Sequence, residues 1–439
     1  MTIINCDNNK KNDDDKNIIL DKSDLKILIQ NIKFDKDFFQ SILEKILIPR
    51  SVNSAGHETV RQYIKNTLRD LNSRWHIEED VFRTRTPAGQ VKFQNIIATY
   101  VPEFGCIRSK SSLKRTILAC HYDSLKSSLV KGHNNTDINQ VERFTGATDA
   151  AVSCSMMIYL AYTMNDHLEK HWLHHFNSNR TIQLNTLQLI FFDGEEIIRS
   201  EPNALRRNKR RYKSKSPQSD SLFGSKHLAN KWEKITNKIH EQRKRFATLA
   251  NMTNMKRSSR YLLCDGQDSI SAKQRLIDIQ NENQNKKKNG KITEVLIISP
   301  QDYHTIDGIQ LFILFDLIGG SGSPRFYNTN LNTSQHFQQL IQIEKSYLQF
   351  NNEKKTAKSM SGGSNKVFFQ QNPAFMVSFV RDDHLPFVIR NVPALHLIPH
   401  PFPRTWHSMD DNVDNLNFNS IGRFTNIMQL FLLNFFRPI

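Results

Sequence analysis

Five short segments of this chain, ILACHYDSL, FTGATDAAV, LIFFDGEEI, FILFDLIGG and PFPRTWHSMDD, each leave a metal-capable or catalytic side chain in an apolar or glycine-rich setting. They supply His121, Asp149, Glu195, Glu196, Asp316 and His407. Desolvating a carboxylate or an imidazole beside a buried strand end is costly, so six such groups kept next to apolar runs point to use. The same pattern constrains the fold. KRTILAC ends at HYD, LNTLQLIFF at DGEE and IQLFILF at DLIGG, while VPALHLIPH leads into a proline-shaped loop. Short apolar strands with polar chemistry at successive carboxyl ends, separated by helical patterns, describe an α/β protein: a single domain with a central mixed, mostly parallel β-sheet flanked by helices and its site at the carboxyl edge.

The remaining elements fit that frame. FFQSILEKILI and HETVRQYIKNTLRDL repeat apolar positions at helical spacing, and WHIEEDVFRTRT and VKFQNIIATYV read as antiparallel neighbours around PAG. ATDAAVSCSMMIYLAYTM begins a helix with Thr148 or Asp149 at its cap, SLFGSKHLANKW is a further helix, and NSIGRFTNIMQLFLLNFF ends the sequence as a core-docked one. Residues 1–36 are charged and Asn-rich, which predicts a disordered polar segment ahead of a catalytic domain spanning 37–439.

The formal charge of +17 is concentrated rather than spread. Seven Lys or Arg fall between Arg206 and Lys215, and Lys286, Lys287, Lys288 and Lys291 form a second run. Both lie between strongly apolar segments and read as solvated insertions near 199–215 and 267–293. Only Tyr212 interleaves with the first, so a stacking platform for nucleic acid is not expected. No run has the length of a membrane span, and the polar start MTIINCDNNKKNDDDKN has no apolar core of a secretory signal. The five cysteines form no CxxC pair, which argues against a cysteine-held structural metal. Cys120 precedes His121 and Cys154 follows Asp149 by five residues, leaving two buried thiols and one disulfide both open.

Each chemistry-bearing residue has a bland reading and a sharp one. Asp149, in GATDAAVS, is explained by a helix cap or by a metal. Glu195 and Glu196 repel each other, and adjacent side chains on a strand end point to different sides, so one can hold a cation while the other moves protons nearby. Asp316 ends FILFD as a buried hydrogen-bonding group or a ligand, and His396 lies inside ALHLI as a core histidine or a site residue. His407 follows Trp406 in a loop stiffened by Pro399, Pro401 and Pro403, the setting of a positioned ligand. Two carboxylates and one His around zinc, with an open fourth position and a free glutamate, make a catalytic site. No GxSxG elbow, P-loop or GxGxxG fingerprint competes with it.

Read together, ILACHYDSL, GATDAAVSCSMMIYLA, LIFFDGEE, SPQSDSLFGSKHLA, FDLIGG and the long DDHLPFVIRNVPALHLIPHPFPRTWHSMDDNVDNL resemble the glutaminyl-peptide cyclotransferases, from about Asp37 to the C-terminus. The resemblance implies one Zn2+ per protein molecule held by Asp149, Glu196 and His407, with Glu195 as general base and acid. It implies Asp316 and Asp382 as a carboxylate network beside Glu195, and His396, Phe402 and Trp406 as the pocket lining. It pairs Cys120 with Cys154, which implies an oxidising, secretory compartment although no signal is visible. The implied substrates are peptides and proteins with N-terminal Gln, cyclised to pyroglutamate with release of ammonia by a monomer. Departures stand at Lys215, where the family has a pocket tryptophan, at the extra Ser219, and at Arg381, where it has Gln; Tyr212 and Trp232 are the aromatic residues considered as replacements. Two rival readings follow. A two-zinc aminopeptidase of the same fold would use His121 and Asp316 for the second metal, and a weakened, non-catalytic member would bind peptides or polyanions through its basic loops.

Overall fold

The computed structural model describes residues 22–101, 107–109, 114–131, 143–177, 185–196, 221–252, 256–263, 291–298, 304–356, 367–371 and 380–437. In sequence order the elements are α1 (Lys22–Asn31), α2 (Lys36–Ile46), α3 (Ala55–Leu71), β1 (Trp75–Thr86), β2 (Gly89–Tyr100), β3 (Ile107–Ser109), β4 (Lys114–His121), α4 (Val152–Asn177) and β5 (Asn185–Phe192). They continue with α5 (Phe223–Met252), β6 (Lys256–Leu263), β7 (Lys291–Ile298), β8 (Ile309–Phe315), α6 (Ser334–Thr356), α7 (Leu385–Val388), β9 (Ala394–Leu397) and α8 (Phe418–Phe435).

Local chemistry explains the boundaries. The Asp35 carboxylate accepts from Phe38 N at the start of α2, whose Phe39, Ile42, Leu43 and Ile46 then recur at helical spacing and are buried. Asn417 caps α8 in the same way through Ser420 N. β1 and β2 pair from Trp75 with Tyr100 down to Thr86 with Gly89, so Pro87 and Ala88 alone make the turn.

Six strands form one sheet in the order β1-β2-β5-β4-β8-β9. β5, β4, β8 and β9 run parallel, and β2 joins β5 antiparallel. Buried residues of β4 alternate between the two faces: Leu118 and Cys120 join the core shared with α4 and α8, while Ile117 and Ala119 join the core shared with α5 and α7. The expected mixed, mostly parallel sheet between helical layers is therefore observed. Its four parallel strands end at the same edge, at His121, Phe192, Phe315 and Leu397. Among the described residues no helix is long and apolar enough to cross a membrane.

Three expectations need correction. Residues 22–36 are not a disordered tail: α1 buries Leu25 and Ile29 in the main core, and Phe34 packs against it. The pattern KSDLKILIQN is a short amphipathic helix hidden by the polar average of the longer segment. The second basic insertion does not run to 293 as loop, because β7 starts at Lys291 and pairs parallel with β6 in a separate sheet, β3-β6-β7. The rest of that insertion and all of 199–215, with Lys215, Tyr212 and Ser219, lie outside the described residues. Finally, α4 begins at Val152 rather than at Thr148 or Asp149.

Candidate metal centre

The turn before α4 is irregular for a reason. Gly146 sits at φ 51°, Asp149 and Ala150 depart from helical φ and ψ, and the Asp149 carboxylate meets His121 and His407. A buried arginine fastens this turn. Arg50 donates through Nη2 to Gly146 O at 3.0 Å and Asp149 O at 3.2 Å, through Nη1 to Thr145 O, and through Nε to Tyr122 O at 2.9 Å at the end of β4. Asp411 holds the other side: its Oδ1 accepts from Thr148 N and Thr148 Oγ1, both at 2.9 Å. A Cβ on Gly146 would stand 2.2 Å from Asp149 O. Gly146→Ala is therefore expected to cost about 1–3 kcal/mol of stability and to lower metal affinity with it. Urea unfolding with parallel metal titration checks this, and an unchanged affinity would detach the turn from the site.

Three donors from three segments converge here. His407 Nε2 lies 3.3 Å from Asp149 Oδ2 and 3.4 Å from Glu196 Oε2. Asp149 Oδ2 and Glu196 Oε1 are buried without a hydrogen-bond partner. Burial opposes charge on His407, but the nearby Asp149 and Glu196 carboxylates outweigh that and push its pKa up to about 10. Burial and the Asp149 charge push Glu196 up to about 7, and Asp149 is held well below the carboxylate range because its bonds to His121 and His407 overcome burial. His407 itself sits at φ 54°, a left-handed backbone that its surroundings must hold, and Lys131 N donates to His407 O at 2.9 Å.

A second set adjoins the first. His121 Nε2 is 3.0 Å from Asp149 Oδ1 and 3.4 Å from Asp316 Oδ1. His121, Asp149 and Asp316 form a group of metal-capable atoms, as do Asp149, Glu196 and His407, with Asp149 shared. A third buried group is Asp382, His384 and His396, in which His396 Nε2 is 2.7 Å from Asp382 Oδ2 and the two rings stack at 3.9 Å. Glu195 is half-buried between these sets. Burial, then the charges of Asp382, Glu196 and Asp383, hold its carboxyl well above the usual range against the pull of His121. Burial likewise raises Asp316 to about 6. On the solvent side Trp406 stacks on His407 at 4.3 Å, and Phe402 meets Trp406 edge-on at 5.1 Å.

The described residues expected from the sequence thus meet at the carboxyl edge. Trp232 does not serve as a pocket wall: it is fully buried in the α5 core, stacked on His304 at 5.0 Å with Arg115 over its ring. Cys120 and Cys154 are adjacent, their Sγ atoms 2.6 Å apart, but are free thiols in this structure, so the expected bridge is met in position and not in bonding. Sequence reading missed Arg50, Asp123 and Asp411. Asp123, in the ACHYD string itself, accepts from Glu195 N at 3.3 Å and Glu196 N at 3.2 Å and so sets the turn that carries both glutamates. Its place beside His121 was a usable signal, whereas nothing around Arg50 in the sequence marks it.

Residues 95–305 and 296–432 match Peptidase family M28. The glutaminyl-peptide cyclotransferase of Boiga irregularis is 33% identical over 401 residues, 90% of this chain and 80% of that protein. That of Dictyostelium discoideum is 29% identical over 453 residues, 98% of this chain and 94% of that protein. This chain belongs to Peptidase family M28 and, within it, to the glutaminyl-peptide cyclotransferases. The fold is shared with the crystal structure of Macrostomum lignano glutaminyl cyclase, with a TM-score of 0.55 and 23% identity over 95% of both proteins. It is also shared with that of a leucine aminopeptidase precursor from Bacteroides thetaiotaomicron, with a TM-score of 0.51 and 18% identity over 92% of this protein and 98% of that one.

Proposed function

We propose that this protein is a zinc-dependent glutaminyl-peptide cyclotransferase, converting N-terminal glutamine of peptides and proteins to pyroglutamate with release of ammonia. The observation that carries the reading is the Asp149, Glu196 and His407 cluster with a further carboxylate on the residue next to Glu196, in a member of this family. The donor set fits zinc. Ligand bonds of about 2.0–2.1 Å in a tetrahedron place donor atoms about 3.3–3.4 Å apart, the spacing found from His407 Nε2 to its two carboxylate neighbours. Two buried carboxylate oxygens without hydrogen bonds are also those a cation would satisfy.

When bound, the ion supplies a Lewis acid that polarises the γ-carbonyl of the glutamine. The protein's own groups do the rest. The α-amine attacks the carbonyl carbon of the side-chain carboxamide, the new ring C–N bond forms and the bond from that carbon to the carboxamide nitrogen breaks. Glu195 accepts the amine proton and delivers it to the departing nitrogen. Its raised proton affinity, set first by burial and then by charges that include Asp382, suits a group that must take up the amine proton. Asp316 and Asp382 act as its electrostatic partners, and His396 fixes Asp382 through their 2.7 Å contact. Trp406 and Phe402 wall the solvent side, holding amine and carbonyl together in a five-membered-ring geometry.

The same reading includes one ion per molecule, a monomer, a Cys120–Cys154 bridge and a secretory compartment; the 2.6 Å Sγ separation supports the bridge, and a bridge there would suit an oxidising compartment. The adjoining His121, Asp149 and Asp316 group is what favours the rival two-metal aminopeptidase. Incubation with a Gln-initiated peptide, read by mass spectrometry, and metal analysis of the purified protein decide between them. The expected results are loss of one ammonia from the peptide and a single tightly held zinc. Two zincs with release of free N-terminal residues would overturn the proposal.

A further inference from the structure

Beside the site stands a cation, Lys131, that the chemistry of cyclisation does not use. Lys131 is exposed, and its Nζ stands 5.7 Å over the Trp406 ring, within the range of a cation–π contact. Its position is set by the backbone. Lys131 N donates to His407 O at 2.9 Å, and Lys131 pairs with Ser408 as a parallel bridge, so the lysine backbone is registered to the loop that carries His407. Trp406 in turn stacks on His407 at 4.3 Å. The Nζ therefore lies within about 10 Å of the His407 ring, the reach of two or three extended residues. Among the described residues, Arg325, Arg381 and Arg404 are also exposed on loops at this edge, against the exposed acids Asp410 and Asp414.

We infer that this rim selects substrates with an acidic side chain immediately after the N-terminal glutamine, and that Lys131 is the residue that reads it. The inference rests on the cyclase reading and deepens it. A peptide seated with its glutamine at the Asp149, Glu196 and His407 cluster leaves across Trp406, which brings the second side chain under the Lys131 ammonium. A carboxylate there meets an opposite charge over an aromatic face that excludes part of the water, and a lysine there meets a like charge. Because the contact lies away from the reacting bond, it contributes to binding of substrate and transition state alike, so the preference is carried in KM rather than kcat.

The test compares kcat/KM of the zinc-loaded enzyme on matched peptides beginning Gln-Glu, Gln-Ala and Gln-Lys. The expected Glu-to-Lys ratio is about tenfold, from a surface pair gained in one and a repulsion in the other. It should shrink toward one in high salt. Lys131→Met keeps an apolar stem over Trp406 and is expected to reduce the ratio about threefold, and Lys131→Glu to invert it. A ratio near one in the wild type, or a ratio that neither substitution moves, overturns the inference while cyclisation of Gln-Ala leaves the function intact. If Lys131→Glu does not fold, Lys131→Met and the salt series still decide. No cyclisation of any of the three peptides overturns the function itself.

Discussion

Glu195→Gln is expected to lower kcat for cyclisation by roughly 10²–10⁴-fold, the usual contribution of a positioned proton-transfer group, with KM nearly unchanged. Gln keeps the size and polarity of the side chain but cannot take a proton. Asp123 holds the 195–196 turn through backbone N–H groups, so the substitution leaves Glu196 in place. Zinc content should therefore stay at the wild-type value while turnover falls. Equal turnover in the two proteins would remove Glu195 from its role. Loss of zinc along with turnover would make it part of the metal shell instead.

Removing the metal should destabilise the protein, and by more as the pH rises. In the metal-free cluster Glu196 and Asp411 are pushed up to about 7 and Asp316 to about 6, each first by burial. A carboxyl held above its ordinary value contributes stability that is full at low pH and is lost as the pH rises through the folded-state value. His407, held up at about 10, works in the same direction: its contribution is complete below the ordinary histidine value and fades above it. Asp149, held down, stays ionised throughout this window and adds no slope. Chelated protein is thus expected to melt at a lower temperature at pH 8 than at pH 5.5. Zinc prefers the deprotonated ligands, so its stabilisation grows over the same interval. The gap between loaded and chelated protein should reach about 5 °C or more at pH 8, as for a ligand at a thousandfold its dissociation constant. Calorimetric scans at the two pH values check it, and a gap that is absent or narrows toward pH 8 would show that the cluster does not hold the metal.

What could be read from the sequence followed from short-range chemistry. Apolar strands ending in HYD, DGEE and DLIGG announce a sheet with polar groups at one edge, because a continuous apolar run must be buried and the polar residue that ends it must leave the core. The proline-rich approach to His407 marked a fixed imidazole. The errors had equally local causes. A ten-residue amphipathic helix was averaged into a polar tail, and Asp149 carried a helix-cap pattern although the turn before α4 is not helical. Trp232 could be taken for a pocket aromatic only because a sequence does not say which face of the sheet a helix covers.

The sequence by itself determined the sheet, the edge at which chemistry collects and the residue types there, since each depends on neighbours a few positions away. Only the tertiary structure decided that Asp149, Glu196 and His407 bring donor atoms to 3.3 and 3.4 Å, and that Asp149 is shared with a second group of metal-capable atoms from His121 and Asp316. It alone revealed Arg50 binding the carbonyls of the 145–149 turn and Lys131 over Trp406. The physical reason is that a metal centre is a matter of tenths of an ångström between segments far apart in the sequence. Packing of the whole core sets those distances, and no local pattern encodes them.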